Sequence, residues 1–133
     1  MAIAGDSYIK LLRPSHLRWG TYRNTNTRNR ISGEGYIPLP KPYAREFNIF
    51  NSNYSSIGLG YNLFYASSTD GFLNSVPLLA QGCSSAGDIY AKQFSVKGDL
   101  RMIGAWYASQ NATTNNSVKV TWTSPTEILL EII

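Results

Sequence analysis

Few residues in this 133-residue chain have side chains able to do chemistry, and their types set the first bounds. His16 is the single histidine and Cys83 the single cysteine. A serine relay would need His16, but a lone histidine in an apolar, strand-like stretch is ordinarily structural or at the surface. Cys83 stands beside Ser84 and Ser85 and would act as a nucleophile only if His16 reached it; a buried, inert thiol is the commoner fate. Glu34 and Glu46 are a conceivable acid–base pair, yet nothing in their spacing brings them together. Metal-dependent nucleases commonly place Glu-x-Lys or Asp-x-Lys beside another acid, and neither tripeptide occurs. The His-x-Lys pair of phosphodiesterase-type nucleases is absent, because His16 is followed by Leu17 and Arg18. There is no Gly-x-x-x-x-Gly-Lys-Ser/Thr phosphate loop and no Gly-x-Gly-x-x-Gly dinucleotide turn. One cysteine excludes an internal disulfide and a Cys-based zinc site. The expectation is a chain without catalysis, metal or cofactor.

The remaining chemistry is that of arginine. Up to Arg45 there are eight basic residues, Lys10, Arg13, Arg18, Arg23, Arg28, Arg30, Lys41 and Arg45, against Asp6 and Glu34, so this third carries +6 and the remainder −2. Six of the eight are Arg, whose fork of donors matches phosphate and guanine bidentately. Such a distribution fits a side facing a polyanion, nucleic acid first. It fits a plain solvated basic surface equally well. The densest stretch is Tyr22–Arg30, where Arg23, Arg28 and Arg30 are interleaved with Asn24, Asn26 and Asn29 and no carboxylate occurs. A second polar loop, Gln81–Asp88, carries Gln81, Ser84, Ser85 and Asp88.

Between these loops lies the stretch that must position them, Gly33–Phe50. Tyr36, Ile37 and Leu39 predict a short strand. Pro42 predicts a helix start, where its missing N–H costs nothing. Tyr43, Ala44 and Phe47 give that helix one apolar face, which Lys41, Arg45 and Glu46 avoid. Ser7–Gly20 reads as a strand interrupted at Pro14. Tyr61–Tyr65 reads as a strand and Thr69-Asp70-Gly71 as a tight turn. Phe72–Leu79 and Ile89–Val96 read as returning strands. Asp99 is a candidate N-cap for a helix over Leu100–Ser109, with Leu100, Ile103, Trp106 and Tyr107 as its core stripe. Val118, Val120 and Trp122 alternate in one strand, and Ile128, Leu130 and Ile132 in the last. About seven short strands and two short helices without strand–helix alternation predict a mostly β fold, an open seven-stranded pseudobarrel with two peripheral helices. Residues 1–133 read as one domain. No apolar run reaches the roughly 18 residues of a membrane span. Met1–Lys10 lacks the pattern of a signal peptide, so a cytoplasmic setting is expected.

Tyr36-Ile37-Pro38-Leu39-Pro40 with Tyr43-Ala44 and Phe47, the Asp70-Gly71 turn, Gly98–Tyr107 with Trp106, and Val118, Val120 and Trp122 together carry a resemblance. The chain resembles the DNA-binding pseudobarrel family, the plant B-three transcription-factor domain and the related recognition domains of Type II restriction endonucleases. The likeness runs from about Tyr8 to Ile132. It departs where the family often has Gly-Asp before the strand after the second helix; Asn115 and Asn116 stand there, so a different turn is expected. The plant family's Trp-rich spacing of core strands is lacking, which places the chain nearer the restriction branch. The resemblance implies sequence-specific binding of double-stranded DNA through two arms in the major groove, with no nuclease motif in this domain. It implies a first arm at Tyr22–Arg30, with Arg18, Arg23, Asn24, Asn26, Arg28 and Arg30 on DNA. It implies a second arm at Gln81–Lys92, with Gln81, Ser84, Ser85, Asp88 and Lys92. The chain's end on an apparent strand, Glu127–Ile133, further suggests a fragment of a larger enzyme, with a catalytic nuclease domain fused to it.

Two other readings stay open. Nine Tyr and three Trp could serve a barrel that binds carbohydrate or protein; its binding would ignore salt and the arginines but need an exposed ring such as Tyr54 or Tyr61. Aromatic stacking could equally serve a single-strand binder.

Overall fold

The structure, a computed structural model, describes residues 1–17, 33–51, 58–82 and 89–133. Among these, seven strands form one mixed sheet: β1 (Ser7–Leu11), β2 (Ile37–Pro38), β3 (Leu63–Ser68), β4 (Val76–Gln81), β5 (Gln93–Val96), β6 (Ser117–Ser124) and β7 (Glu127–Ile132). The order across the sheet is β1-β6-β7-β3-β4-β5-β2. Every pairing is antiparallel except β3 with β7, which run parallel with Tyr65 opposite Glu127. The sheet is mostly β as expected and is not closed into a barrel.

Among the described residues three short helices accompany it, α1 (Pro14–Leu17), α2 (Lys41–Glu46) and α3 (Met102–Ser109), the first of them not expected from the sequence. The extra one, α1, replaces the expected continuation of the first strand past Pro14. Proline at a first helical position is pre-organised for the turn, and the His16 side chain completes it: the Arg13 backbone N–H donates to His16 Nδ1 at 3.0 Å. This is the reach-back half of a capping box, made by a histidine where Glu or Gln is usual.

Other boundaries shift for local reasons. β4 begins at Val76 rather than Phe72. Ser75 takes φ 49°, and the Leu73 and Ser75 N–H groups donate to the hydroxyls of Ser68 and Ser67 instead of joining a ladder. Asp99 does not cap α3 directly. It accepts the Arg101 N–H at 3.1 Å in a turn that precedes the helix, a short-range bond typical of Asp. The buried face of β3 is Phe64, Ala66 and Ser68, while Tyr65 faces solvent. Gly71 holds φ 83° in the hairpin turn, as expected. Asn116 closes the turn before β6, its Oδ1 accepting the Thr113 N–H at 2.9 Å.

The core is aromatic at its centre. Trp122 on β6 meets Phe47 of α2 at 5.0 Å, Phe64 of β3 at 5.9 Å and Tyr8 of β1 at 6.2 Å between ring centroids. Trp106 and Tyr107 of α3 are buried as core residues. The two edge strands, β1 and β2, carry no backbone ladder between them. Side chains bridge the gap instead. Tyr8 of β1 donates its hydroxyl to the Pro38 carbonyl of β2 at 2.7 Å, and Tyr43 of α2 stacks on Tyr8 at 5.0 Å. Tyr107 of α3 donates to the Tyr36 carbonyl, also at 2.7 Å. Burial pushes both phenols above the usual tyrosine range, so both stay neutral donors. Tyr8→Phe strands a buried carbonyl and is expected to cost about 1–3 kcal/mol, read as a lowered Tm in thermal denaturation. An unchanged Tm would mean that the edge gap is not held by this bond.

Candidate nucleic-acid interface

Of the residues expected on DNA, Arg18, Arg23, Asn24, Asn26, Arg28, Arg30, Ser84, Ser85 and Asp88 lie outside the described residues, as do Cys83 and Tyr54. The structure does describe the chain that follows the first segment and flanks the second, called the first and second stems below, and the two remaining members, Gln81 and Lys92.

The first stem is built on glycine. Gly33 takes φ 83°, and the chain from Gly33 to Gly35 lies flat against Gly104 of α3. A Cβ built on Gly35 would meet the Gly104 Cα and N at 2.9 Å and the His16 carbonyl at 3.2 Å; one built on Gly104 would fall inside the Gly33 carbonyl oxygen. Tyr36 then donates its N–H to the His16 carbonyl at 3.0 Å. So α1, α3 and the first stem form one unit. Glu34 is buried within it and accepts the Tyr36 hydroxyl at 3.1 Å.

The second stem is built on backbone bonds. Lys92 donates to the Gln81 carbonyl at 2.7 Å, and its own carbonyl accepts the Leu39 N–H at 2.9 Å. Ala91 donates to Ile49 at 3.1 Å, and Asn51 donates to Ile89 at 2.8 Å. Ile89–Ala91 therefore pairs with Ile49–Asn51 rather than extending β5. The residues flanking α2 thus grip the stem from both ends of the helix. Gly82 packs directly on the buried Asn51 side chain. Gln81 is half-buried and donates its Nε2 to Ser95 Oγ at 2.8 Å, which orients the amide along the sheet; Lys92 is exposed. Phe50 and Tyr90 stack at 5.6 Å beside it, with Tyr61 exposed next to them.

The single stretch Gly33–Asn51 therefore joins both stems. It leaves the first at Tyr36, crosses β5 as β2, and embraces the second through Leu39, Ile49 and Asn51. The stems leave from opposite ends of this very short ladder. Three residue steps lead from Tyr36 to Leu39, about 10 Å of extended strand at roughly 3.3 Å per step.

Among the described residues the two candidate carboxylates sit in different surroundings. Glu34 is buried, whereas Glu46 is exposed on α2. His16 is committed to its helix cap, and burial, then the nearby Arg13 and Lys10 charges, lower its pKa from 6.5 to about 4. Protonation would remove the Nδ1 lone pair that accepts the Arg13 N–H. The unfolded chain binds this proton at higher pH than the folded one. The His16 contribution is therefore complete above pH 6.5 and is lost as pH falls from 6.5 towards 4. The full shift corresponds to about 3 kcal/mol, which solvent screening at a half-buried ring reduces to roughly 1 kcal/mol. The expected NMR titration of this one imidazole has its midpoint near 4; a midpoint near 6.5 would rule out the cap.

Among the described residues no group of three His, Cys, Asp or Glu could hold a metal, and no helix is long and apolar enough to cross a membrane. No protein-family model and no curated protein matches the sequence significantly.

Proposed function

We propose that the chain is a sequence-specific double-stranded DNA-binding module that grips the major groove with two arms, the target-recognition domain of a cytoplasmic restriction endonuclease. The observation that carries this reading is the Gly33–Asn51 stretch, whose backbone bonds tie the stems of the two polar segments to each other. The first loop brings guanidinium groups and amides, the second amides, hydroxyls and one carboxylate. Arginine and asparagine are the residues that read guanine and adenine edges bidentately. The role is binding; no step of bond cleavage is assigned to this domain.

The Phe50–Tyr90 pair with exposed Tyr61 favours a second reading, a stacking surface for a single strand or a sugar. One experiment separates the two. Selection from a random duplex library is expected to enrich one short sequence, with affinity falling as salt rises. Failure to enrich any sequence, or equal affinity for the single strands, would overturn the major-groove reading.

A further inference from the structure

Lys41 and Arg45 are four residues apart on α2, so they lie on one side of the helix about 40° apart, with Glu46 about a further 100° round. Both are exposed. The opposite side is occupied: Ala44 and Phe47 are buried, and Tyr43 stacks on Tyr8. This basic edge adjoins the second stem, because Leu39, two residues before Lys41, bonds to Lys92, and Ile49, just past the helix, bonds to Ala91. Lys92 is exposed as well. Two cationic side chains of α2, a helix whose other side the fold commits to the core, thus adjoin Lys92 at one arm's base.

Resting on the DNA-binding reading, we propose that Lys41 and Arg45 form a phosphate-contacting site on α2 that holds the duplex backbone beside the second arm. A rigid helix edge offers no route to the base edges inside a groove, so the site adds affinity without sequence information. The test is Lys41→Gln with Arg45→Gln, two exposed changes, in the full chain. Binding to a fluorescein-labelled random-sequence duplex and to the selected site would be followed by anisotropy across a salt series. Each lost phosphate contact lowers the slope of log K against log salt by about 0.9, so the double variant is expected to lose about 1.8. Between about 50 and 200 mM salt that slope difference is worth roughly tenfold in affinity. The loss is expected on both duplexes, with the preferred sequence unchanged. Wild type binding with an unaltered slope in the variant would overturn this site and leave the major-groove reading standing. A changed sequence preference would also overturn it, since base contact and not phosphate contact would then be its role. Absence of duplex binding by the wild type would remove both.

Discussion

Gly104→Ala is expected to destabilise the protein by about 3 kcal/mol or more, although it replaces a helical glycine by the best helix former. On helix propensity alone the change should gain up to about 1 kcal/mol. The methyl, however, would occupy the place of the Gly33 carbonyl oxygen. Overpacking of a core ordinarily costs about 1–3 kcal/mol because side chains swing aside. Here the obstacle is main chain, and that main chain is pinned: the Tyr36 N–H is held by His16 and the Tyr36 carbonyl by Tyr107. Relief requires α3 to lift away from the first stem, opening the face that buries Ile103, Trp106 and Tyr107. At this chain length a Tm fall of roughly 10 °C corresponds to such a loss. Ala105→Gly, at the exposed neighbouring position, should lower stability only by propensity, about 1 kcal/mol. If Gly104→Ala melted no lower than Ala105→Gly, the close approach of α3 and the stem would be excluded.

The same contact shows where sequence reasoning ends. Gly33, Gly35 and Gly104 are spread over seventy positions, and no local pattern marks them as one surface. A glycine that yields to a neighbour's backbone looks, in sequence, like any other glycine. By contrast, the α2 corner is legible, because Pro40 and Pro42 stop the strand and open the helix while Tyr43, Ala44 and Phe47 repeat at its period. The faces of β6 and β7 are legible for the same reason: Val118, Val120, Trp122, Ile128 and Leu130 alternate and are buried. Four-residue α1 is too short for any periodicity, and its signal lies in His16 acting as a cap. Which face of β3 turns inward is not legible, because both of its faces carry large apolar residues and only the partners decide. The parallel pairing of β3 with β7 is tertiary altogether. For the candidate interface, polar composition marks both segments in the sequence. That one stretch ties their stems together emerges only from the backbone bonds of Leu39, Ile49 and Asn51.

Arg28→Ala and Arg30→Ala are each expected to weaken binding to the selected duplex by about five- to 150-fold, the equivalent of the roughly 1–3 kcal/mol carried by a bidentate base contact. The two losses need not be equal, and their pattern assigns the roles. An arginine that reads guanine loses discrimination at one base pair when removed, so affinity for the selected site falls far more than affinity for random duplex. An arginine that clamps phosphate weakens both alike and lowers the salt slope by about 0.9. Lysine at either position separates the cases further, since it keeps the charge and gives up the fork. Thermal stability of these variants should match wild type, so a binding loss cannot be assigned to unfolding. The competing stacking reading makes the reverse forecast: Arg28→Ala and Arg30→Ala leave binding intact, while Tyr61→Ala, at an exposed ring beside the second stem, abolishes it. Competition between selected and scrambled duplexes for each variant decides between the two. Because the stems are coupled through Gly33–Asn51, the loss in a double variant carrying Arg28→Ala and Lys92→Ala should be less than the sum of the two single losses. Additive losses would mean two arms that each hold the duplex without the other. A loss no larger than that of the worse single variant would mean that they grip only together.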